Sequence, residues 1–178
     1  ALTVTGDVEK GKAVYRSTAN EDDLICVTGD LGSAYLGLLL LEREKRVFLD
    51  DPAMQPDLEG NDYILERQLK PEARLDIIRK LSEAGIVPTS MIDISDGLAS
   101  EILHICEDSG VGCRLYEEKI PIDMAAAATA AEFGIQPVTA AMNGGEDYEL
   151  LFTIPMSEYE SISKIDDIRV IGHITDKN

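Results

Sequence analysis

The chain has 178 residues and is strongly acidic, with 34 acidic against 16 basic side chains and a formal net charge of −18. This length is enough for one sizeable core or two small domains. The charge argues against nucleic acid or an anionic membrane as a partner, and the longest apolar stretch, around residues 38–41, is too short to cross a bilayer. Such a surface would repel a phosphate ligand unless a divalent cation lay between carboxylate and phosphate.

The cysteines and histidines give no sign of a disulfide framework or a zinc site. Cys26, Cys106 and Cys113 are odd in number, lack CxxC spacing and lie in or beside apolar runs. We therefore expect reduced thiols and a cytoplasm-like compartment. His104 and His173 have no second His or Cys at ligand spacing, so structural roles are favoured for both.

The first fifty residues predict strands followed by a helix. Short strands are expected at 2–5 and 12–16, and the apolar run at 24–28 is typical of a buried strand. A glycine-rich turn at 29–33 then leads into helical spacing over 34–46. A turn at a helix N-terminus is a possible phosphate cradle. This one lacks a P-loop ending and the full G-x-G-x-x-G spacing, so a plain tight turn is favoured.

The remaining chain alternates between strands and helices after an exposed, proline-containing loop at 50–60. This order favours an α+β or mixed α/β fold, in which a layered sheet is packed with helices. The predicted elements are helices at 61–69 and 73–84, a strand at 89–94, a helix at 97–110, a strand at 111–116, a helix at 124–133, a strand at 147–154, a helix at 156–166 and a strand at 168–174.

The stretch Met-Ile-Asp-Ile-Ser-Asp-Gly-Leu at 91–98 gathers oxygen ligands where a strand ends and a helix begins. Strand alternation places Asp93 and Ser95 on one side, and Asp96 lies at a helix N-cap position. Carboxylate oxygens suit a hard cation such as Mg²⁺. The alternative is that Asp96 only caps the helix, Ser95 bonds its own backbone and Asp93 faces solvent. One acid is enough for a cap, so the second acid favours a metal site.

A second informative stretch is Asn-Gly-Gly-Glu-Asp-Tyr-Glu at 143–149, which leads from a double-glycine turn into a strand. Two glycines allow a close backbone approach or a positive φ. Glu146, Asp147 and Glu149 would then lie at the mouth of the strand. Taken alone, the segment fits a ligand site and a plain turn with solvated acids equally well.

Taken together, the segments at 91–98 and 144–152 resemble the two signatures of the thiamine-monophosphate kinase family. That family shares a superfamily with aminoimidazole ribonucleotide synthetase, selenophosphate synthetase and a hydrogenase maturation protein. Val27-Thr28-Gly29 and Leu69-Lys70-Pro71 with Arg74 add to the resemblance. It implies that residues 1–22 are a remnant of the last strands of an N-terminal domain and its linker, and that residues 23–178 form the C-terminal α/β domain.

The resemblance also implies roles for five residues. Asp93 and Asp96 would bind Mg²⁺, Ser95 and Arg16 would contact the nucleotide, and Glu146 would contact the thiamine moiety. The loop after Arg16 departs from the glycine-containing pattern of the family. No side chain is assigned as a catalytic base, because a phosphate oxygen is already a competent nucleophile.

The implied reaction is the ATP- and Mg²⁺-dependent phosphorylation of thiamine monophosphate to thiamine diphosphate. The family pattern implies a cytoplasmic homodimer formed through the N-terminal domain, which would supply further metal-binding acids. Residues 1–178 alone are therefore expected to fold but to be inactive. The alternatives are a sister ATP-dependent enzyme with a different acceptor and a non-catalytic nucleotide-binding domain.

Overall fold

The computed structural model describes residue 3 and residues 5–177. Five strands and seven α-helices lie in this part of the chain. The strands are β1 (Leu24–Thr28), β2 (Ser90–Asp93), β3 (Gly112–Leu115), β4 (Leu150–Ile154) and β5 (Ile168–Thr175). The helices are α1 (Ser33–Asp50), α2 (Asp62–Leu69), α3 (Leu75–Glu83), α4 (Leu98–Ser109), α5 (Met124–Glu132), α6 (Pro137–Asn143) and α7 (Tyr159–Ile162), with 3₁₀ turns at Glu117–Lys119 and Met156–Glu158.

The strands form one antiparallel sheet in the order β2-β4-β1-β5-β3. Val27 of β1 lies opposite Leu151 of β4, and Leu150 lies opposite Asp93 of β2. The ends of β1 and β2 therefore meet the start of β4 at one end of the sheet. This register places both motif segments at the same end.

The sheet is packed with helices on both faces, which confirms the predicted fold class. Side chains alternate along a strand, so successive residues of β1 face different cores. Ile25 and Val27 pack with α4, whereas Leu24 and Cys26 pack with α3 and α7. A third cluster joins α1, α2, α5 and α6.

One of the two elements predicted at the start of the chain differs from the structure. Residues 12–16 are not a strand; Tyr15 accepts one bond from the Met91 N–H at 3.3 Å. One such bond does not make a ladder, and the segment is largely exposed, so it lacks the pairing that defines a strand. The strand expected at 2–5 falls partly on residues 2 and 4, which lie outside the described residues.

Two later predictions also need correction, and one helix was not predicted. The strand expected from residue 147 begins at Leu150, because Glu146 and Tyr148 have φ values of 63° and 51°, which a strand excludes. The helix expected at 156–166 is shortened to a 3₁₀ turn followed by α7. Helix α6 was not predicted; it begins with Pro137, a residue suited to the first helical position.

The structure also describes the cysteines, one histidine and the lengths of the helices. Cys26, Cys106 and Cys113 are free thiols, and the first two are buried. The ring of His173 bonds the Tyr116 hydroxyl at 2.9 Å, which is a structural contact. Within the described residues, none of the helices is both long and apolar enough to cross a membrane.

Candidate functional site

The two motif segments meet through backbone hydrogen bonds beyond the end of β2. The Ile94 N–H donates to the Glu149 carbonyl at 2.8 Å, and the Tyr148 N–H donates to the Ile94 carbonyl at 2.8 Å. The Glu146 N–H donates to the Ser95 carbonyl, also at 2.8 Å. Segments about fifty residues apart in sequence are thus fixed against each other in one corner, as a shared site requires.

Glycines at two positions allow this close approach. Gly97 has φ 107°, and a Cβ there would lie 2.8 Å from the Met142 carbonyl oxygen. Gly145 has φ 71°, and its Cβ would lie 2.6 Å from the Ser95 carbonyl oxygen. Any other residue would be strained in φ and would press on backbone, so both positions require glycine.

The carboxylates of Asp93 and Asp96 are exposed at this corner. Among the residues that the structure describes, neither carboxylate makes a hydrogen bond or an ion pair. Gly97 is the N-cap residue of α4, and no side chain caps the helix. The capping alternative for Asp96 therefore has no geometric support, and both acids keep their oxygens available.

Three carboxylates act electrostatically on the phenol of Tyr148. Its hydroxyl donates to Glu146 Oε2 at 3.2 Å. That hydrogen bond is the main cause of a raised Tyr148 pKa, and the charges of Glu146, Asp93 and Asp96 add to it. The structure thus brings together Asp93, Asp96 and Glu146 and makes the corner strongly negative.

This donor set fits Mg²⁺ with two protein ligands. Mg²⁺ usually binds one or two carboxylates and completes its shell with water and substrate phosphates. No cluster of three or more His, Cys, Asp or Glu side chains in the described part of the chain is arranged to hold a metal. Asp93 and Asp96 could serve as two carboxylate ligands of such an ion, with the remaining positions filled from outside this set.

Glu101 anchors the turn that carries two of the predicted site residues, a role that the sequence analysis missed. It is only 3% exposed, and its Oε1 accepts the Asp96 N–H at 3.0 Å and the Ser95 hydroxyl at 3.4 Å. The available signal was an acid among the apolar positions Leu98, Ile102 and Ile105 of α4. A buried carboxylate on an apolar helix face requires hydrogen-bond partners.

We expect Glu101→Ala to lower the free energy of unfolding by about 1–3 kcal/mol, because the Asp96 N–H loses its acceptor. Glu101→Gln should be milder, since the amide oxygen can still accept that bond. Urea unfolding measures both, with Glu107→Ala on the exposed face of α4 as the control. Equal unfolding free energies for the Glu101→Ala and Glu107→Ala proteins would contradict this role.

Asp147 caps helix α1 from a distant part of the chain. Its carboxylate accepts the Gly32 N–H at 2.7 Å and the Ala34 N–H at 3.2 Å. Burial raises its pKa to about 6, although these two bonds act in the opposite direction. Two free N–H groups at the N-terminus of α1 are thus bonded to a protein carboxylate. This favours the plain turn at 29–33 over a phosphate cradle.

Glu149 is also buried. The alternative of solvated acids at the mouth of the strand is therefore wrong for Asp147 and Glu149. Its Oε1 lies 2.9 Å from Arg67 Nη2, and its Oε2 binds Arg74 Nη1 and the Thr28 hydroxyl. Thr28 Oγ1 in turn accepts the Leu150 N–H at 2.9 Å. The Glu149 carboxylate thus ties α2 and the residue before α3 to the end of β1.

Arg16 forms an ion pair with an acid of α4. Its Nε is 2.5 Å from Asp108 Oδ2, near the C-terminal end of α4, whereas Asp96 precedes the start of that helix. Twelve helical residues separate the two ends, a span of about 18 Å at 1.5 Å per residue. The Arg16 side chain is thus paired near the opposite end of α4 from Asp96, and its nucleotide contact stays a prediction.

A cavity of about 400 Å³ opens beside Asp93. Tyr148 and Leu150 form one wall, and residues from the start of α3 and the loop before it form the other. This volume is within the range typical of small-molecule sites. The negative corner therefore adjoins a largely apolar cavity.

The family model described as AIR synthase related protein, C-terminal domain, matches residues 20–178. The chain belongs to this family. Both motif segments and the cavity walls fall within the matched range. The predicted boundary between residues 22 and 23 is close to its start and stays a prediction.

Several relatives of known name match the chain. It is 35% identical over 167 residues to the thiamine-monophosphate kinase of Pyrococcus abyssi, covering 94% of this chain and 47% of that protein. It is 34% identical to the Bacillus subtilis enzyme over 163 residues, covering 92% and 46%. The chain thus spans about half the length of the curated relatives it matches.

Solved structures share the fold of this chain. A structure described as AaThiL complexed with AMPPCP and TMP has a TM-score of 0.78 and 30% identity, covering 93% of this chain and 48% of that one. The Escherichia coli hydrogenase maturation protein HypE has a TM-score of 0.70 at 14% identity, covering 97% and 49%. The second likeness shows a shared fold alone.

Proposed function

We propose that the complete protein transfers the γ-phosphoryl group of ATP to thiamine monophosphate and so forms thiamine diphosphate. The observation that carries this proposal is the meeting of the two motif segments, whose backbone hydrogen bonds fix the turn of Asp93 and Asp96 against the segment of Glu146. Relatives at 34–35% identity are named thiamine-monophosphate kinase. A solved relative is described as complexed with AMPPCP and TMP.

In this proposal Asp93 and Asp96 hold Mg²⁺, Ser95 and Arg16 contact the nucleotide, and Glu146 contacts the thiamine moiety. The bound cation would neutralise phosphate charge, which is the main demand of phosphoryl transfer. Other side chains of this chain would hold these residues in position. Glu101 holds the turn with Asp96 and Ser95, and the Tyr148 hydroxyl orients Glu146.

A screen of acceptors tests the proposal. The complete protein, purified and supplied with ATP and Mg²⁺, is offered thiamine monophosphate, thiamine or ribonucleotide acceptors, and ADP and phosphorylated products are measured. We expect thiamine diphosphate and ADP in equal amounts from thiamine monophosphate alone. Turnover of a ribonucleotide instead would indicate a sister enzyme, and ATP binding without ADP release would indicate a non-catalytic domain.

We further propose that the complete protein is a cytoplasmic homodimer assembled through a domain preceding residue 23, with no nucleic acid or membrane partner. Within the described residues the proposed metal site has two acids, which supports an additional source of ligands. Residues 1–178 alone should therefore show a folded circular dichroism spectrum but no ATP-dependent formation of thiamine diphosphate. Measurable turnover by this chain alone would contradict the shared-site proposal.

A further inference from the structure

We propose that Cys106 and Cys113 form a redox-sensitive dithiol, which a small-molecule disulfide such as oxidised glutathione converts into an intramolecular disulfide bond. Cys106 lies in the last turn of α4, and Cys113 lies in β3, seven positions further along the chain. The dithiol is a site of covalent modification outside the two motif segments. Its oxidation does not depend on the proposed kinase activity.

The turn between α4 and β3 brings the two cysteines together. Gly110 follows the last residue of α4 with φ 70°, and the Val111 N–H donates to the Cys106 carbonyl at 3.0 Å. The chain therefore folds back over the end of the helix before β3 begins. In a continuous helix, residues seven positions apart would be separated by about 10 Å along the axis, which is too far for a disulfide.

Both thiols face the same core. Cys113 lies opposite Ile174 of β5, and the side chains of such a pair lie on one face of the sheet. Ile174 and Cys106 belong to one core cluster, and Cys113 packs against that cluster. The two thiols are hydrogen-bonded to each other. The fold thus holds two sulfur atoms in contact where a disulfide would join α4 to β3.

Unequal burial of the two thiols sets the order of the reaction. Cys106 is only 7% exposed, whereas Cys113 is half-buried. Burial raises the pKa of the Cys106 thiol to about 12, and the neighbouring Cys113 adds to this shift. Because the thiolate is the nucleophile, Cys106 is a poor first reactant. Cys113 is therefore the residue that reacts first with a small molecule from solvent.

The reaction consists of two thiol–disulfide exchanges. The Cys113 thiolate attacks one sulfur of oxidised glutathione, the S–S bond of glutathione breaks, and one glutathione leaves as a thiolate that takes up a proton. Cys106 then loses its proton and attacks the Cys113 sulfur, which releases the second glutathione. Two cysteine thiols are oxidised to one disulfide, and one oxidised glutathione is reduced to two thiols.

The disulfide would close a loop that holds the segment around Arg16. Asp108 and Ser109 lie between the two cysteines. Asp108 pairs with Arg16, and the Ser109 hydroxyl accepts the Ala19 N–H at 3.1 Å. A closed loop opens less often, so the Ala19 amide should exchange with heavy water about threefold or more slowly after oxidation. Equal exchange before and after oxidation would contradict this restraint.

The test detects the disulfide by a cleavage between the two cysteines. The complete protein is incubated with oxidised and reduced glutathione at several ratios, quenched with acid, alkylated and digested without reductant. Glutamyl endopeptidase cleaves after Glu107, so the fragments with Cys106 and Cys113 stay joined only through a disulfide. We expect mass spectrometry to show the joined fragments as the main product at the highest ratio, and dithiothreitol to separate them.

The contribution of the fold is measured by repeating the titration in concentrated urea. Half-oxidation of the folded protein should need about a tenfold lower ratio of oxidised to reduced glutathione, because the fold holds the thiols together. Cys26 is the internal control, since it is 0% exposed in β1 and should stay unmodified in the folded protein. Equal ratios with and without urea would overturn the role of the fold.

Two variants test the order of the steps. Cys106→Ala should hold one glutathione on Cys113 as a stable mixed disulfide, because no second thiol displaces it. Cys113→Ser should form neither the adduct nor the disulfide, because the remaining thiol is buried. Circular dichroism checks that both variants are folded. An adduct on Cys106 in the Cys113→Ser protein would overturn the order, and fragments that separate without reductant in the wild type would overturn the dithiol itself.

Discussion

Replacing Asp93 or Asp96 by Asn in the complete protein is expected to lower Mg²⁺-dependent kcat/KM by about a hundredfold or more. Each change removes one of two carboxylates proposed to hold the ion, and a bound metal contributes several kcal/mol of charge stabilisation at about 1.4 kcal/mol per tenfold in rate. Steady-state kinetics over a Mg²⁺ titration measure the loss. Higher Mg²⁺ should restore part of the activity if weakened metal binding is the cause.

Stability distinguishes a metal role from a structural one for these two acids. Both are exposed and make no hydrogen bond or ion pair within the described residues, so the Asn variants should unfold at unchanged or slightly higher urea concentration. Removing one of two nearby unpaired charges relieves repulsion. Asp57→Asn in the exposed loop serves as the control for both rate and stability. Full activity of Asp93→Asn would rule out its assignment as a ligand.

Glu149→Gln is expected to lower the free energy of unfolding by about 3–5 kcal/mol, the cost of breaking a buried ion pair by removing one partner. The Glu149 side chain is 2% exposed, and those of Arg67 and Arg74 are 17% and 13% exposed. Gln keeps the size but leaves two guanidinium groups without their shared counter-charge. A loss of this size is a large part of the 5–15 kcal/mol that typically stabilises a domain.

The matched control is Glu66→Gln. Glu66 Oε1 lies 3.4 Å from Lys70 Nζ, but both side chains are mostly exposed. Exposed pairs contribute about 0–1 kcal/mol, so this variant should unfold almost as the wild type does. Urea unfolding followed by circular dichroism compares the two. A Glu149→Gln protein as stable as Glu66→Gln would show that the buried cluster is not a determinant of stability.

Three acids of the segment at 143–149 have three different surroundings. Glu146 is exposed and bonds the Tyr148 hydroxyl, Asp147 caps α1, and Glu149 pairs with Arg67 and Arg74. Positive φ at Glu146 and Tyr148 turns successive side chains in directions that a strand does not allow. One short segment therefore supplies a proposed ligand contact, a helix cap and a buried ion pair.

The sequence by itself determined the regular elements that bury a continuous apolar face. The strand at 24–28 and the helices predicted at 61–69, 97–110 and 124–133 lie where local spacing placed them, within two residues at each end. The sequence also predicts oxygen ligands at Asp93 and Asp96, because acids that directly follow a strand can be recognised from neighbouring residues alone. Such features depend on neighbours a few positions apart.

The tertiary structure alone decided how the acids are used. Whether a carboxylate is solvated, caps a helix or joins a buried ion pair depends on which distant groups surround it, and Asp147 and Glu149 contact residues more than seventy positions away. The same reason explains why Glu101, the cavity beside Asp93 and the pairing of Arg16 with Asp108 were not evident from the sequence. These properties arise from packing between elements, so local residue patterns do not predict them.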